Sequence, residues 1–450
     1  MYENYSDEIQ NFLKSNHIEI GQRISIKKDE ECYEGLLMPK SSGNPHCLVI
    51  KLDNGYNIGI DFKNVEIKKM KEIREITKPH AKLRIRHDSG KPTIVILHTG
   101  GTVASRVDYR TGAVSPAFSS EDIIAMFPEL QDIANIRSRL VRNMWSQDMR
   151  FSHYNILAKE VAKELEEGCD GIIITHGTDM MAVTSAALAF ILEDVPVPVI
   201  LVGSQRSSDR GSSDAAMNLI CAARFIANSD FSEVALCMHE NMSDENCLIL
   251  PATKTRKMHT SRRDAFRPIN AQPFARVSYS GVIEFMNDSY KKKDIKRRLA
   301  LKLIKENIKV GVIKNRNNMF ADEFLFYSNY DGLIIEASGL GCSPISRIDD
   351  LTEESGKTLS AIKTLLENNV VVFLAPQTIY GRINMNVYED QRIMKSLGVL
   401  GDQSDMLSET AYVKLAWALS NYPKEKTADI MMQNLRGELS ERNDSNTFLY

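Results

Sequence analysis

The chain has 450 residues, too many for one ordinary core, so two or three domains are expected. Hydrophobic residues make up 43% and charged residues 26%, which excludes a fibrous, disordered or membrane class. A formal net charge of -3 leaves no global basic field for a phosphate backbone, so any nucleic-acid contact has to be local or supplied by a partner.

Seven cysteines (Cys32, Cys47, Cys169, Cys221, Cys237, Cys247 and Cys342) form no C-x-x-C pair. This disfavours a disulfide framework or a thiolate zinc site and fits a reducing cytoplasm. The first residues, "MYENYSDEIQNFLKSN", lack the basic and then apolar segments of a signal peptide. No apolar run approaches the roughly 18 to 20 residues that cross a bilayer, so a cytoplasmic location is expected.

In chain order, residues 1–16 read as a short amphipathic helix with Ile9, Phe12 and Leu13 on one face. Alternating segments follow at 23–27, 33–38, 47–52 and 56–60, separated by turns at 29–31, 41–45 and Asn54-Gly55. Four or five short strands in this stretch point to a small antiparallel β-barrel over 1–75. The highly charged segment before Gly90 and Pro92 reads in part as a linker, 76–92.

From Thr93 the rhythm changes to short buried strands, Gly-rich turns and longer helices: "TIVILHTGG", "GIIITHGTDMMAVTSAALAFIL", "VPVILVGSQRSSDRGSSDAAMNLICAARFIA" and "VALCMHE". Such alternation implies parallel βαβ units over 93–290, with chemistry beyond the C-terminal ends of the strands. "KVGVIKN", "DGLIIEASGLG", "SGKTLSAIKTLLENN", "VVVFLAP" and "SETAYVKLAWALSN" suggest a second, smaller α/β unit over 305–425. The polar tail, 426–450, is expected to be loosely held, although its final Phe-Leu-Tyr could dock. The fold class is thus α/β, a small β-barrel followed by a two-domain body with parallel sheets.

Three strand ends of the first unit carry polar clusters: Thr99-Gly100-Gly101-Thr102, "THGTD" at 175–179 and "GSQR" at 203–206. Glycines there let backbone N–H groups face an anion or an oxyanion. Each Thr, Ser or Asp taken alone is most simply a helix N-cap. The first turn lacks the G-x-G-x-x-G spacing of a dinucleotide site, and no P-loop is present. A threonine becomes a nucleophile only when a neighbour removes its proton. "PATKTRKMHTSRRDAF" offers Lys254 and Lys257 as bases, although composition alone makes it a solvated basic loop.

Together "TGGT", "SQDM" (146–149), "HGTD" and the Lys followed nine residues later by Phe in "KMHTSRRDAF" resemble the bacterial-type L-asparaginase and glutaminase family, in that family's order. "GRINMNVY" and "ETAYVKLAWAL" extend the likeness. With "YEGLLMP" and "KLDNGYNIGI" ahead of this body, the architecture is similar to the D-subunit family of archaeal tRNA-dependent amidotransferases.

The resemblance implies roles. Thr102 matches a nucleophilic threonine, and Thr178, Asp179 and Lys257 match a second Thr-Asp-Lys triad. Lys257 is preferred to Lys254 for its spacing to Phe266. Ser146 and Gln147 match holders of the substrate α-carboxylate, with Asp179 also holding the α-ammonium. Tyr109 matches an assisting tyrosine on a mobile loop, and His176 matches a mostly structural histidine.

The implied reaction is hydrolysis of glutamine, the ammonia passing to a partner, the amidotransferase E-subunit, which amidates Glu-tRNA(Gln). Glutaminolysis would require no metal or organic cofactor, ATP and Mg being expected on the partner. A homodimer within a heterotetramer is implied. A free-standing L-asparaginase and a non-enzymatic binding scaffold remain alternatives, as do asparagine in place of glutamine and Thr178 in place of Thr102 as first attacker.

Overall fold

The computed structural model describes residues 2–40, 44–52, 57–70, 87–101, 103, 105–107, 114–116, 119–206, 213–294 and 296–448. Thr102, Tyr109 and residues 76–86 of the expected linker lie outside this set.

An N-terminal helix, Asp7–Ser15, is capped by Ser6, whose side chain accepts from the Ile9 N–H. It drops Ile9 and Leu13 onto an antiparallel sheet of β1 (Arg23–Lys28), β2 (Glu31–Leu37), β3 (Cys47–Lys51), β4 (Asn57–Asp61) and β5 (Val65–Lys69). The strand order is β4-β3-β2-β1-β5, and Ile24, Ile26, Leu37, Leu48, Ile50 and Ile60 close the core beneath the helix. The alternating segments of the sequence account for β1 to β4. β5 is hidden in the sequence because only Val65 and Ile67 interrupt its charges, yet Ile67 stands opposite Ile26 in the sheet.

The second unit begins at β6 (Thr93–His98), followed by a hairpin of β7 (Ser105–Val107) and β8 (Val114–Pro116), then β9 (Asn135–Leu140) and β10 (Gly171–Thr175). Next come β11 (Leu192–Glu193), β12 (Val199–Val202), β13 (Val234–His239), β14 (Asn246–Pro251), the β15–β16 hairpin (Thr255–Lys257, Phe266–Pro268), β17 (Ala275–Ser278), β18 (Ile283–Phe285) and β19 (Ala300–Leu301). Eight of these make one sheet in the order β18-β17-β14-β13-β12-β10-β6-β9.

β9, β6, β10, β12 and β13 run parallel, as the strand-and-helix rhythm requires. β14, β17 and β18 extend that sheet antiparallel, an extension the sequence rhythm does not reveal because no helix separates those strands. Ile172 and Ile174 of β10 face a core shared with the helix Met181–Ile191. Ile173 between them faces the helix Ala215–Asn228 on the other side.

A third sheet, β20-β21-β22 (Val310–Lys314, Gly332–Ala337, Val371–Pro376), is wholly parallel and carries the helix Glu353–Glu367. The helix Ser408–Asn421 belongs to two units at once, since its Trp417 packs against Phe190 with ring centroids 5.4 Å apart in the core of the larger sheet.

Most of the tail departs from expectation, for it is anchored rather than loose, while Phe448 docks as the terminal Phe-Leu-Tyr allows; Leu449 and Tyr450 lie outside the described residues. Glu438 and Lys414 form a fully buried ion pair at 2.6 Å, Arg382 donates to Ser440 and Glu441 carbonyls, and Phe448 packs edge-on against Tyr380. A buried lysine cannot be left without its carboxylate, which is why a polar segment is held in place. Among the described residues no helix is long and apolar enough to cross a membrane.

Candidate functional site

Four adjacent parallel strands, β12, β10, β6 and β9, end on one rim, and each end delivers a loop there. At the end of β6, the Thr99 N–H and hydroxyl both donate to the Thr175 carbonyl, at 3.1 and 3.0 Å. Thr99 therefore supports the turn. Gly100 and Gly101 follow at φ +109° and +85°. A Cβ on Gly100 would lie 2.5 Å from the Met144 carbonyl oxygen, and one on Gly101 would lie 2.9 Å from the Gly177 nitrogen. Both the left-handed backbone and this close approach of main chains require glycine. Thus the "TGG" turn is wedged between the loop after β9 and the loop after β10.

Beneath the rim His98 shares hydrogen bonds with the Thr175 and Ser138 hydroxyls at 2.7 and 2.8 Å. His176 lies against the Gly177 carbonyl at 2.7 Å and the Met149 sulfur at 3.1 Å. Both rings are enclosed, and burial pushes each imidazole down to about 4, so they are neutral structural groups at pH 7. Ser146 is likewise buried, its hydroxyl accepting from the Met180 N–H at 3.3 Å.

The two lysines of the basic segment separate cleanly. Lys254 is 1% exposed and donates to the Asp405 carboxylate at 2.6 Å and to the Ser440 hydroxyl at 3.2 Å. Burial pushes its amine down, against the pull of Asp405. Lys257 closes the β15–β16 hairpin, where it is paired with Phe266. The nine-residue spacing is the length of that hairpin: Phe266 is wholly buried and anchors the return strand, while the opposing lysine points to the rim. Lys257 Nζ donates to Thr178 Oγ1 at 2.9 Å and to Asp179 Oδ1 at 2.8 Å.

Thr178, Asp179 and Lys257 are therefore joined by direct contacts. Gln147, Asp179 and Lys257 also line one cavity of about 500 Å³. Its far wall comes from the C-terminal unit: Val312, Glu336, Ser408, Glu409 and Tyr412, with Arg256 paired to Glu409 at 3.1 Å. Sequence pattern did not single these residues out. Glu409 lies inside the quoted "ETAYVKLAWAL", so that motif was the signal that could have found it.

The third loop, at 203–206, is held by Asp214, another residue that no sequence motif marks. Its carboxylate accepts from the Ser204 hydroxyl and from the Gln205 and Arg206 N–H groups, each at 3.0 Å. The Asn218 amide donates to the Gly203 carbonyl at 3.0 Å. Of the expected site residues, Thr102 and Tyr109 lie outside the described set. Gly101, immediately before Thr102 in sequence, rests against Gly177, immediately before Thr178.

Two family models cover most of the body: "Asparaginase, N-terminal" matches residues 93–290 and "Glutaminase/Asparaginase C-terminal domain" matches 310–432. A third, the "GatD N-terminal domain", matches 18–70. The thermostable L-asparaginase from Thermococcus kodakarensis is 26% identical with a TM-score of 0.67, spanning 78% of this chain and 100% of its own. L-asparaginase I from Vibrio cholerae is 26% identical with a TM-score of 0.65, spanning 78% and 99%. The fold and rim thus define an amidohydrolase of the asparaginase type.

The remaining part of the chain narrows that class. The D-subunit of the glutamyl-tRNA(Gln) amidotransferase of Pyrococcus furiosus is 44% identical over 98% of this chain and 99% of its own length. That of Thermococcus kodakarensis is 42% identical over 98% and 99%. The chain belongs to the D-subunit family of glutamyl-tRNA(Gln) amidotransferases.

Proposed function

We propose that this chain is the glutaminase half of a tRNA-dependent amidotransferase and that Thr102 is its nucleophile. Thr102 attacks the side-chain amide of glutamine, ammonia leaves, and water releases glutamate from the acyl-threonine. Turn N–H groups stabilise the oxyanion. Lys257, through Thr178 and Asp179, manages the protons, and Tyr109 assists. The observation that carries this reading is the pair of contacts from Lys257 Nζ to Thr178 Oγ1 and Asp179 Oδ1 at the mouth of the shared cavity.

Ser146 and Gln147 receive the α-carboxylate and Asp179 the α-ammonium, opposite charges for the two ends of a zwitterion. The hydrolytic step calls for no metal or organic cofactor; ATP and Mg act on the partner. That partner is the E-subunit, which uses the ammonia to convert Glu-tRNA(Gln) to Gln-tRNA(Gln), two copies of each chain forming a heterotetramer. The N-terminal domain favours this reading over a free-standing L-asparaginase, because the solved L-asparaginases span only 78% of the chain.

Co-purification with the E-subunit followed by glutamine hydrolysis, with and without Glu-tRNA(Gln), tests the reading. Turnover that rises with partner and tRNA is expected. Strong asparagine turnover by the chain alone would favour the asparaginase instead.

A further inference from the structure

Thr178 is gripped from two sides. Its hydroxyl accepts from Lys257 at 2.9 Å, while its methyl faces Gly203 so closely that a Cβ on that glycine would stand 2.7 Å from Thr178 Cγ2. Gly203 does not occupy the left-handed region, so its backbone conformation does not explain why a glycine is there. What the position demands is the absence of a side chain.

The wall that Gly203 forms is rigid. Its carbonyl accepts from the Asn218 amide, and the next three residues are fixed by the wholly buried Asp214 through one hydroxyl and two N–H groups. Asn218 is itself locked, its Oδ1 lying 2.6 Å from His239 Nδ1 and its amide 3.2 Å from Asp214. A β-branched side chain whose methyl meets a fixed wall has its χ1 chosen for it.

We propose that Gly203 is a positioning residue: its bare Cα sets the Thr178 rotamer and so keeps the hydroxyl within reach of Lys257. This rests on the reading of Thr178 and Lys257 as parts of the amidohydrolase machinery. A methyl at position 203 drives Thr178 off its rotamer or pushes back the loop, since only the Met181 thioether end, at 3.2 Å, can yield easily.

The test is a double-mutant cycle on glutamine hydrolysis by the complex with the E-subunit, using Gly203→Ala, Thr178→Ser and both together. Serine keeps the hydroxyl and lacks the methyl. Gly203→Ala is expected to lower kcat about tenfold to a hundredfold, the scale of a misplaced group, with KM and melting temperature nearly unchanged. In the Thr178→Ser background the same substitution should cost less than about threefold. Equal losses in both backgrounds, or no loss with Thr178 present, would overturn the proposal.

A crystal structure of Gly203→Ala gives a readout independent of turnover. The Thr178 Oγ1 to Lys257 Nζ separation should lengthen beyond hydrogen-bonding reach, and a separation still at 2.9 Å would contradict the proposal. If the unmodified complex fails to hydrolyse glutamine, the functional reading falls while this measurement still decides the role of Gly203.

Discussion

Lys254 and Lys257 leave the same segment for different partners: one is sealed in an ion pair with Asp405, the other reaches the rim and contacts Thr178 and Asp179. Removing a charge therefore has opposite consequences at the two positions. Lys254→Met leaves Asp405 buried without its cation and should cost about 3–5 kcal/mol of stability. Lys257→Met should leave the urea midpoint nearly unchanged and lower kcat for glutamine hydrolysis by about 10²- to 10⁴-fold. Denaturation curves and turnover on the two variants separate the roles.

The "TGG" turn makes a second prediction. Gly101→Ala must hold an L-residue at φ +85° and place its Cβ 2.9 Å from the Gly177 nitrogen, a main-chain atom that cannot rotate away. Strain of about 1–3 kcal/mol is expected from the backbone region alone. Because the displaced loop carries Thr178, turnover should fall further than the stability loss explains. Chemical denaturation paired with kcat measures both effects.

Acid should weaken the fold through its enclosed imidazoles. Burial lowers His98 and His176 from 6.5 to about 4, so below pH 6.5 the unfolded chain takes up protons that the folded chain refuses. Stability is fully present above 6.5, is lost as pH falls towards 4 and levels off below. The slope is on the order of 1 kcal/mol per pH unit for each ring. Denaturant midpoints between pH 7 and 4 should shift in that direction, and His176→Asn should flatten the slope.

The tail should matter more than its polar composition suggests. Glu438→Ala leaves Lys414 at zero exposure with only the Met431 and Gln433 carbonyls as partners. A loss of about 3–5 kcal/mol is expected, read as a lower melting temperature. Glu438→Gln should recover part of it by keeping an acceptor.

Local pattern carried a large part of this fold into the sequence. Buried runs such as "IVILH" and "GIIIT" are short, apolar and bounded by Gly or Thr, so β6 and β10 were legible one by one. What failed was pairing at a distance. β5 hides behind its lysines, and the antiparallel strands after β13 have no helix to mark them.

The rim divides in the same way. The order of short motifs pointed to Ser146, Thr178, Asp179 and Lys257, whereas nothing local to Lys254 could reveal Asp405, 151 residues away. Nor does "GSQR" disclose that its glycine faces the Thr178 methyl. That contact exists only once β10 and β12 lie side by side.

The most direct test of the central claim is glutamine-dependent amidation of Glu-tRNA(Gln) by the chain with the proposed E-subunit partner and ATP, comparing the natural protein with Thr102→Ala. With Thr102 as nucleophile, the natural complex forms Gln-tRNA(Gln) from glutamine. Thr102→Ala then abolishes that reaction, while added ammonium still supports amidation by the partner. Full glutamine-dependent amidation by Thr102→Ala would contradict the assignment.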